Sequence, residues 1–164
     1  MASCEHSDAA TGGLKGAALQ SALAEAETRC ATARERLTAP RRRVLELLLQ
    51  AGAPTKAYDL IAAFGENGAA AKPPTVYRAL DFLSRQGFAH RIESLNAYIA
   101  CHLGERTHAA AFLICSCCGA AREIEPFAAD RVQAAAAAFG YVLTGVTVEA
   151  HGLCPACAEG RLAH

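Results

Sequence analysis

The sequence predicts an α+β chain in two parts: a helical front closed by a β-hairpin, then a small back part of short strands and one helix. Three observations predict it. From Ala17 to Gly87 apolar residues recur every three or four positions. Phe88 to Cys101 falls into two short strands around Ser94-Leu95-Asn96-Ala97. Two C-x-x-C pairs, Cys115/Cys118 and Cys154/Cys157, then enclose a strand, a helix and a further strand.

The 164 residues suffice for one ordinary domain or two small ones. Sixteen basic residues balance sixteen acidic ones, so there is no overall basic field. The charge is uneven, with ten basic and seven acidic residues from Ala17 to His90 against five and seven from Arg91 to His164. A mildly basic front fits a nucleic-acid-facing surface. No run approaches the roughly 18 apolar residues of a membrane span. The start, MASCEHSDAATGG, lacks the basic and apolar regions of a secretory signal. A cytoplasmic location with reduced thiols is expected, and there eight cysteines point to metal before disulfides.

Residues 1–16 are polar and aperiodic, and are expected to be a mobile tail in which Cys4 and His6 are incidental. From Ala17 to about Leu37 strong helix formers carry Leu19, Leu23, Ala26 and Cys30 on one face, Cys30 as a small buried hydrophobe. The next helix starts at a Thr38 cap with Pro40 in its first turn, buries Val44, Leu47 and Leu48, and ends at Gly52. Arg41, Arg42 and Arg43 open it, either as a solvated face or as phosphate contacts. A third short helix, Ala57 to Phe64, presents Ala57, Leu60, Ile61 and Phe64 to one side.

KPPTVYRALDFLSRQG is the most informative helix of the front. Pro73 and Pro74 suit its start, Val76, Leu80 and Leu83 point inward, and Gly87 ends it. Thr75, Arg78, Asp81 and Arg85 remain on other faces. Tightly joined helices of this length suit a helix-turn-helix, whose second helix enters the major groove by its N-terminal end. Arg78 then reaches a guanine edge, and Tyr58 a phosphate or thymine methyl. Thr75, Tyr77 and Arg41 complete the candidate DNA contacts. The competing reading makes Tyr58 and Tyr77 partly buried aromatics with wet hydroxyls.

The hairpin after this helix is a wing. With Leu95 and Asn96 as a two-residue turn, paired positions sum to 191 and His90 faces Cys101. Residues 102–108 form a polar hinge. Ala109–Cys115 is a strand, C-S-C-C-G turns the chain, and Ala121–Glu125 returns. Pro126 opens a helix to Phe139 with Ala128, Val132, Ala135 and Phe139 inward, and Tyr141–Ala150 is a strand. This half is too small to close a good core alone, so it needs a staple and a partner.

Cys115, Cys118, Cys154 and Cys157 have the chemistry of a closed tetrahedral zinc site. The 35 intervening residues mean that the ion would clip the chain end onto the knuckle. A redox role for the C-P-A-C pair lacks a preceding thioredoxin-like frame. Cys117, inside the knuckle, competes for metal. A second constellation is His90, Cys101, His108 and Glu123, drawn from wing, hinge and sheet, with His102 as a rival histidine. One thiolate, two imidazoles and a carboxylate suit zinc by ligand softness. A zinc hydrolase or deaminase is disfavoured, because neither H-E-x-x-H nor H-x-E before the C-P-x-C occurs.

KPPTVYRALDFL, then QGFAHRIES, YIACHL, the C-x-x-C-G knuckle and AHGLCPAC make the chain resemble the ferric-uptake-regulator superfamily, in its zinc-uptake-regulator branch, over about residues 17–158. The resemblance implies a dimeric transcriptional repressor with an N-terminal winged helix and a C-terminal dimerisation domain. Zinc would be its corepressor at operators of zinc-import genes. It implies two zinc ions per protomer: a structural one on Cys115, Cys118, Cys154 and Cys157, and a regulatory one on His90, Cys101, His108 and Glu123. It places Arg78 and Tyr58 at the DNA. The hinge lacks the H-x-H cluster of the iron-sensing members, which weakens the alternative of an iron- or peroxide-responsive regulator, and Cys117 is an extra thiol.

Overall fold

The computed structural model describes residues 12–65, 71–101, 109–125, 129–143 and 145–162. The front holds α1 (Gly16–Thr32), α2 (Ala39–Ala51), β1 (Thr55–Lys56), α3 (Ala57–Ala63) and α4 (Pro73–Arg85), then the hairpin of β2 (Ala89–Ile92) and β3 (Ala97–Ala100). The back holds β4 (Ala110–Cys115), β5 (Ala121–Ile124), α5 (Ala129–Ala138), β6 (Thr147–Gly152) and α6 (Pro155–Leu162). The fold class is α+β as the periodicities predict.

The helices of the front pack around one core. Leu19, Leu23, Ala26 and Cys30 of α1 are buried as expected. The helix stops before Leu37 because Arg34 turns left-handed (φ 56°) and the Glu35 N–H donates to the Cys30 carbonyl at 2.9 Å. Thr38 holds the N-cap position of α2, but its side chain makes no capping bond. The stripe of α2 is Val44, Leu45, Leu48 and Leu49, with Leu47 only half-buried. Part of the expected tail is docked: the Leu14 N–H donates to the Leu49 carbonyl at 2.8 Å. Gly13 lies so close to α2 that a Cβ there would sit 1.6 Å from the Gln50 carbonyl oxygen.

Helix α4 buries Val76, Ala79, Leu80, Phe82 and Leu83. Its end is a Schellman motif: the Phe88 N–H donates to the Leu83 carbonyl at 2.8 Å and the Gly87 N–H to Ser84 at 3.1 Å, with Gly87 at φ 68°. That turn launches β2 straight out of α4. The hairpin gains a third strand that two residues could not announce in the sequence, since β1 pairs antiparallel with β3.

The hairpin register departs from expectation. Its pairs are Ala89–Ala100, His90–Ile99, Arg91–Tyr98 and Ile92–Ala97, so His90 faces Ile99 and not Cys101. The turn spans four residues, closed by Asn96 at φ 47° and by its N–H to the Glu93 carbonyl at 3.1 Å. The slip is two residues, and an even slip keeps every side chain on its face. His90 and Cys101 thus remain diagonal neighbours on one side of the hairpin.

That side bears His90, Ile92, Ile99 and Cys101; the other bears Ala89, Tyr98 and Ala100, which join the helical core. Ile92 and Ile99 instead form a second core with Ala110, Phe112, Ile114 and Ala121 of the back sheet, with Leu95 packed against it. One hairpin thereby closes two interiors.

The back sheet runs β5-β4-β6, antiparallel between β4 and β5 and parallel between β4 and β6. Strand β6 starts later than expected and continues to Gly152, and the short helix α6 that follows was not foreseen. Helix α5 does not bury the face its periodicity marks. Val132 and Ala135 are exposed and Phe139 is 81% exposed, as is Val142 at 92%. Ala128 lies outside the described residues. None of the described helices is long and apolar enough to cross a membrane.

Candidate metal centres and nucleic-acid interface

Cys115 ends β4, Cys118 closes the knuckle, Cys154 precedes α6 and Cys157 lies in its first turn. Their four sulfurs lie within 4.8 Å of one another. The Cys118 and Cys154 sulfurs are 3.9 Å apart. A tetrahedron with Zn–S bonds of about 2.3 Å has edges of about 3.8 Å, which the Cys118–Cys154 pair matches. The Cys154 N–H donates to the Cys115 sulfur at 3.3 Å. Burial opposes the Cys115 thiolate, but N–H groups of Cys118, Cys154 and Cys117 outweigh it and bring the thiol down to about 6. The neighbouring Cys154 sulfur, together with burial, drives the Cys157 thiol far up. Four crowded thiols of which one ionises readily and another resists are a set that a dication completes. Cys117 is the exposed cysteine of the knuckle.

The second cluster lies where the wing meets the back sheet. His90 Nε2 is 3.1 Å from Glu123 Oε1, and the Cys101 sulfur is 3.8 Å from the same oxygen. The three ligand atoms lie within 4.8 Å of one another. The Glu123 side chain is only 2% exposed, and the His90 ring meets Phe112 edge-on at 5.8 Å. A buried carboxylate beside a soft thiol and an imidazole fits a zinc ion and leaves a place for a fourth ligand. His108 and its rival His102 lie outside the described residues.

Burial disfavours a charged His90, but the hydrogen bonds its imidazolium donates to Cys101 and Glu123 outweigh it and raise the imidazole from 6.5 to about 9. In the metal-free chain this imidazolium contributes stability that is fully present below about 6.5 and lost as pH rises through about 9. A metal ligand must shed that proton. Cys101 must shed its thiol proton as well, so zinc uptake at this site is expected to strengthen by about tenfold or more per pH unit from near-neutral pH upward and to flatten once both ligands are deprotonated. Chelator competition across pH checks this, and a flat profile would remove His90 from the ligand set.

Residues 32–151 match the ferric uptake regulator family. The chain belongs to the ferric uptake regulator family. It is similar to the zinc uptake regulation proteins of Escherichia coli (strain K12) and Shigella flexneri, each 49% identical over 143 residues, 85% of this chain and 83% of theirs. A zinc uptake regulator complexed with zinc and DNA shares the fold with a TM-score of 0.81 and 44% identity, over 90% of this chain and 99% of that one. Holo XcZur follows with a TM-score of 0.76 and 42% identity, over 85% and 98%.

In this ferric uptake regulator chain the candidate DNA contacts gather on the front. Tyr58, at the start of α3, is 78% exposed, more than a partly buried aromatic would be, whereas Tyr77, at 49%, is partly covered, as that reading has it. Arg78 projects from the second turn of α4, while Thr75 in the first is half-buried. Arg41 shares a recess with Arg78, Asp81, Ser84 and Arg85. Its guanidinium stacks on Phe82 at 3.5 Å and donates to the Arg36 carbonyl at 2.6 Å. Arg42 and Arg43 are engaged within the chain, with Glu27 at 3.0 Å and Glu46 at 2.9 Å. Sequence reasoning missed one polar residue aimed at the wing, Glu149 of β6. Strand alternation from the HGLC end would have placed it on the Phe112 face.

Proposed function

We propose that the chain is a zinc-responsive transcriptional repressor that binds palindromic operators of zinc-uptake genes as a cytoplasmic homodimer. The observation that carries this is the convergence of His90 and Cys101 from the wing with Glu123 from the back sheet, in a chain similar over 90% of its length to a zinc- and DNA-bound regulator. Residues 17–101 would form the reading domain, 102–108 the hinge and 109–164 the dimerisation domain. His90, Cys101, Glu123 and His108 would hold the regulatory ion, and Cys115, Cys118, Cys154 and Cys157 the structural one, two per protomer. The Cys101 thiolate favours zinc over iron.

Helix α5 supports the homodimer, because its apolar residues find no cover within the described chain. On the front, Arg78 would read a base edge, with Tyr58, Thr75, Tyr77 and Arg41 on phosphates and sugars. A wing tied at its foot to the sheet holds α4 at one angle, and two such wings in a dimer match two half-sites.

Fluorescence anisotropy with a palindromic operator tests this. Wild type is expected to bind tightly only with zinc. Arg78→Ala is expected to lose about 1–3 kcal/mol of discrimination between operator and random DNA. Zinc-indifferent binding by the wild type would overturn the proposal, and unchanged discrimination would remove Arg78 from base reading.

A further inference from the structure

In the register of the back sheet, Phe112 of β4 stands between Glu123 of β5 and Glu149 of β6, all three on the face turned to the wing. Glu123 reaches the foot of the hairpin. Glu149 reaches its turn, where Oε1 accepts the Glu93 N–H at 2.7 Å and Oε2 the Ser94 N–H at 3.2 Å. Leu95, next in the turn, packs against the second core. Two successive amides aimed at one carboxylate make a small anion-holding concavity. The Glu149 side chain is 15% exposed while the two amides lie at the exposed turn, and His151 Nε2 lies 3.8 Å away. Burial opposes the charge on Glu149, yet Ser94 and the two amides hold its carboxyl below the usual range. It is ionised at neutral pH.

We propose that Glu149 is a metal-independent positioning residue that clasps the wing turn to β6 and thereby sets how much zinc is needed to bring α4 into its DNA-binding pose. This rests on the zinc-responsive reading above. The hairpin is held at two ends by one row of the sheet. The foot carries the metal ligands, whereas the turn is held by charge-assisted bonds to backbone, which need no ion. A clasp that already favours the docked wing lowers the differential affinity that zinc must supply. Without it the ligand set is intact, but the response moves to higher zinc.

The test uses the full chain as wild type, Glu149→Gln and Glu149→Asp. Gln keeps the shape and loses the charge; Asp keeps the charge and falls one methylene short, and serves if the Gln variant folds poorly. Amide exchange at Glu93 and Ser94 is read beside operator anisotropy across buffered free zinc. Faster exchange at both amides is expected, with half-maximal zinc raised on the order of tenfold and zinc stoichiometry unchanged. Unchanged exchange overturns the clasp, and faster exchange with an unmoved zinc midpoint overturns its regulatory role. A wild type indifferent to zinc overturns the functional reading and this role with it; a responsive wild type with wild-type-like variants overturns the clasp alone.

Discussion

Replacing Cys118 by serine is expected to unfold the back sheet while the helical front stands. The buried residues of the described back half are Ala110, Ala111, Phe112, Ile114, Cys115, Ala121 and Cys157. Only Phe112 and Ile114 are large, each contributing about 1.5–3 kcal/mol on burial. Ordering the backbone costs about 1–2 kcal/mol for every residue, so this half cannot stand on burial alone. A tetrathiolate zinc site contributes on the order of 10 kcal/mol in small domains, and a serine hydroxyl is a poor substitute for thiolate. The front has its own interior, from Leu19 to Ala100, to which no knuckle residue belongs. Metal analysis of Cys118→Ser should show the knuckle zinc lost, with the Glu123 site weakened as its strand unfolds, and thermal unfolding by circular dichroism should lose the contribution of the back half only. Wild-type zinc content with a wild-type melt would refute the structural role.

The second large effect is functional. Cys101→Ser is expected to keep its fold and its knuckle zinc but to bind operator equally with and without added zinc. The Cys101 N–H still donates to the Phe88 carbonyl at 3.0 Å, so the hairpin closes whatever the side chain is. What disappears is the soft ligand that joins the wing to Glu123. For a 100-fold zinc response, the coupling lost is about 2.7 kcal/mol. Glu123→Gln should fail in the same way from the sheet side. Anisotropy of both variants decides it: a wild-type zinc response in either removes that residue from the regulatory site.

The clustering of the candidate metal ligands was legible because much of its information is local. A C-x-x-C needs only a tight turn, and two such pairs in a chain with reduced thiols leave few alternatives. His90, Cys101 and Glu123 were harder, yet the period of two along strands preserved the answer even where the hairpin register slipped by two. The α5 face shows the opposite case. Periodicity reported that Val132, Ala135 and Phe139 want cover, but a single sequence does not say whether the cover belongs to the same chain. Glu149 was hidden for another reason. Its partners are backbone amides of Glu93 and Ser94, and amides leave no mark in a sequence. Strand β1, two residues long, and α6, begun by Pro155 just after a ligand, fell below the length at which periodicity speaks.

The two-sided hairpin bears on how such regulators can be recombined. Because Ala89, Tyr98 and Ala100 belong to one interior while Ile92 and Ile99 belong to the other, the segment is common property of both halves. A chimaera that takes its operator preference from one parent and its metal response from another has no clean splice point inside this ribbon. Cutting after Cys101 would transplant Ile92 and Ile99 fitted to the wrong sheet. A workable hybrid would interleave the two parents residue by residue along the ribbon, alternate positions following alternate donors.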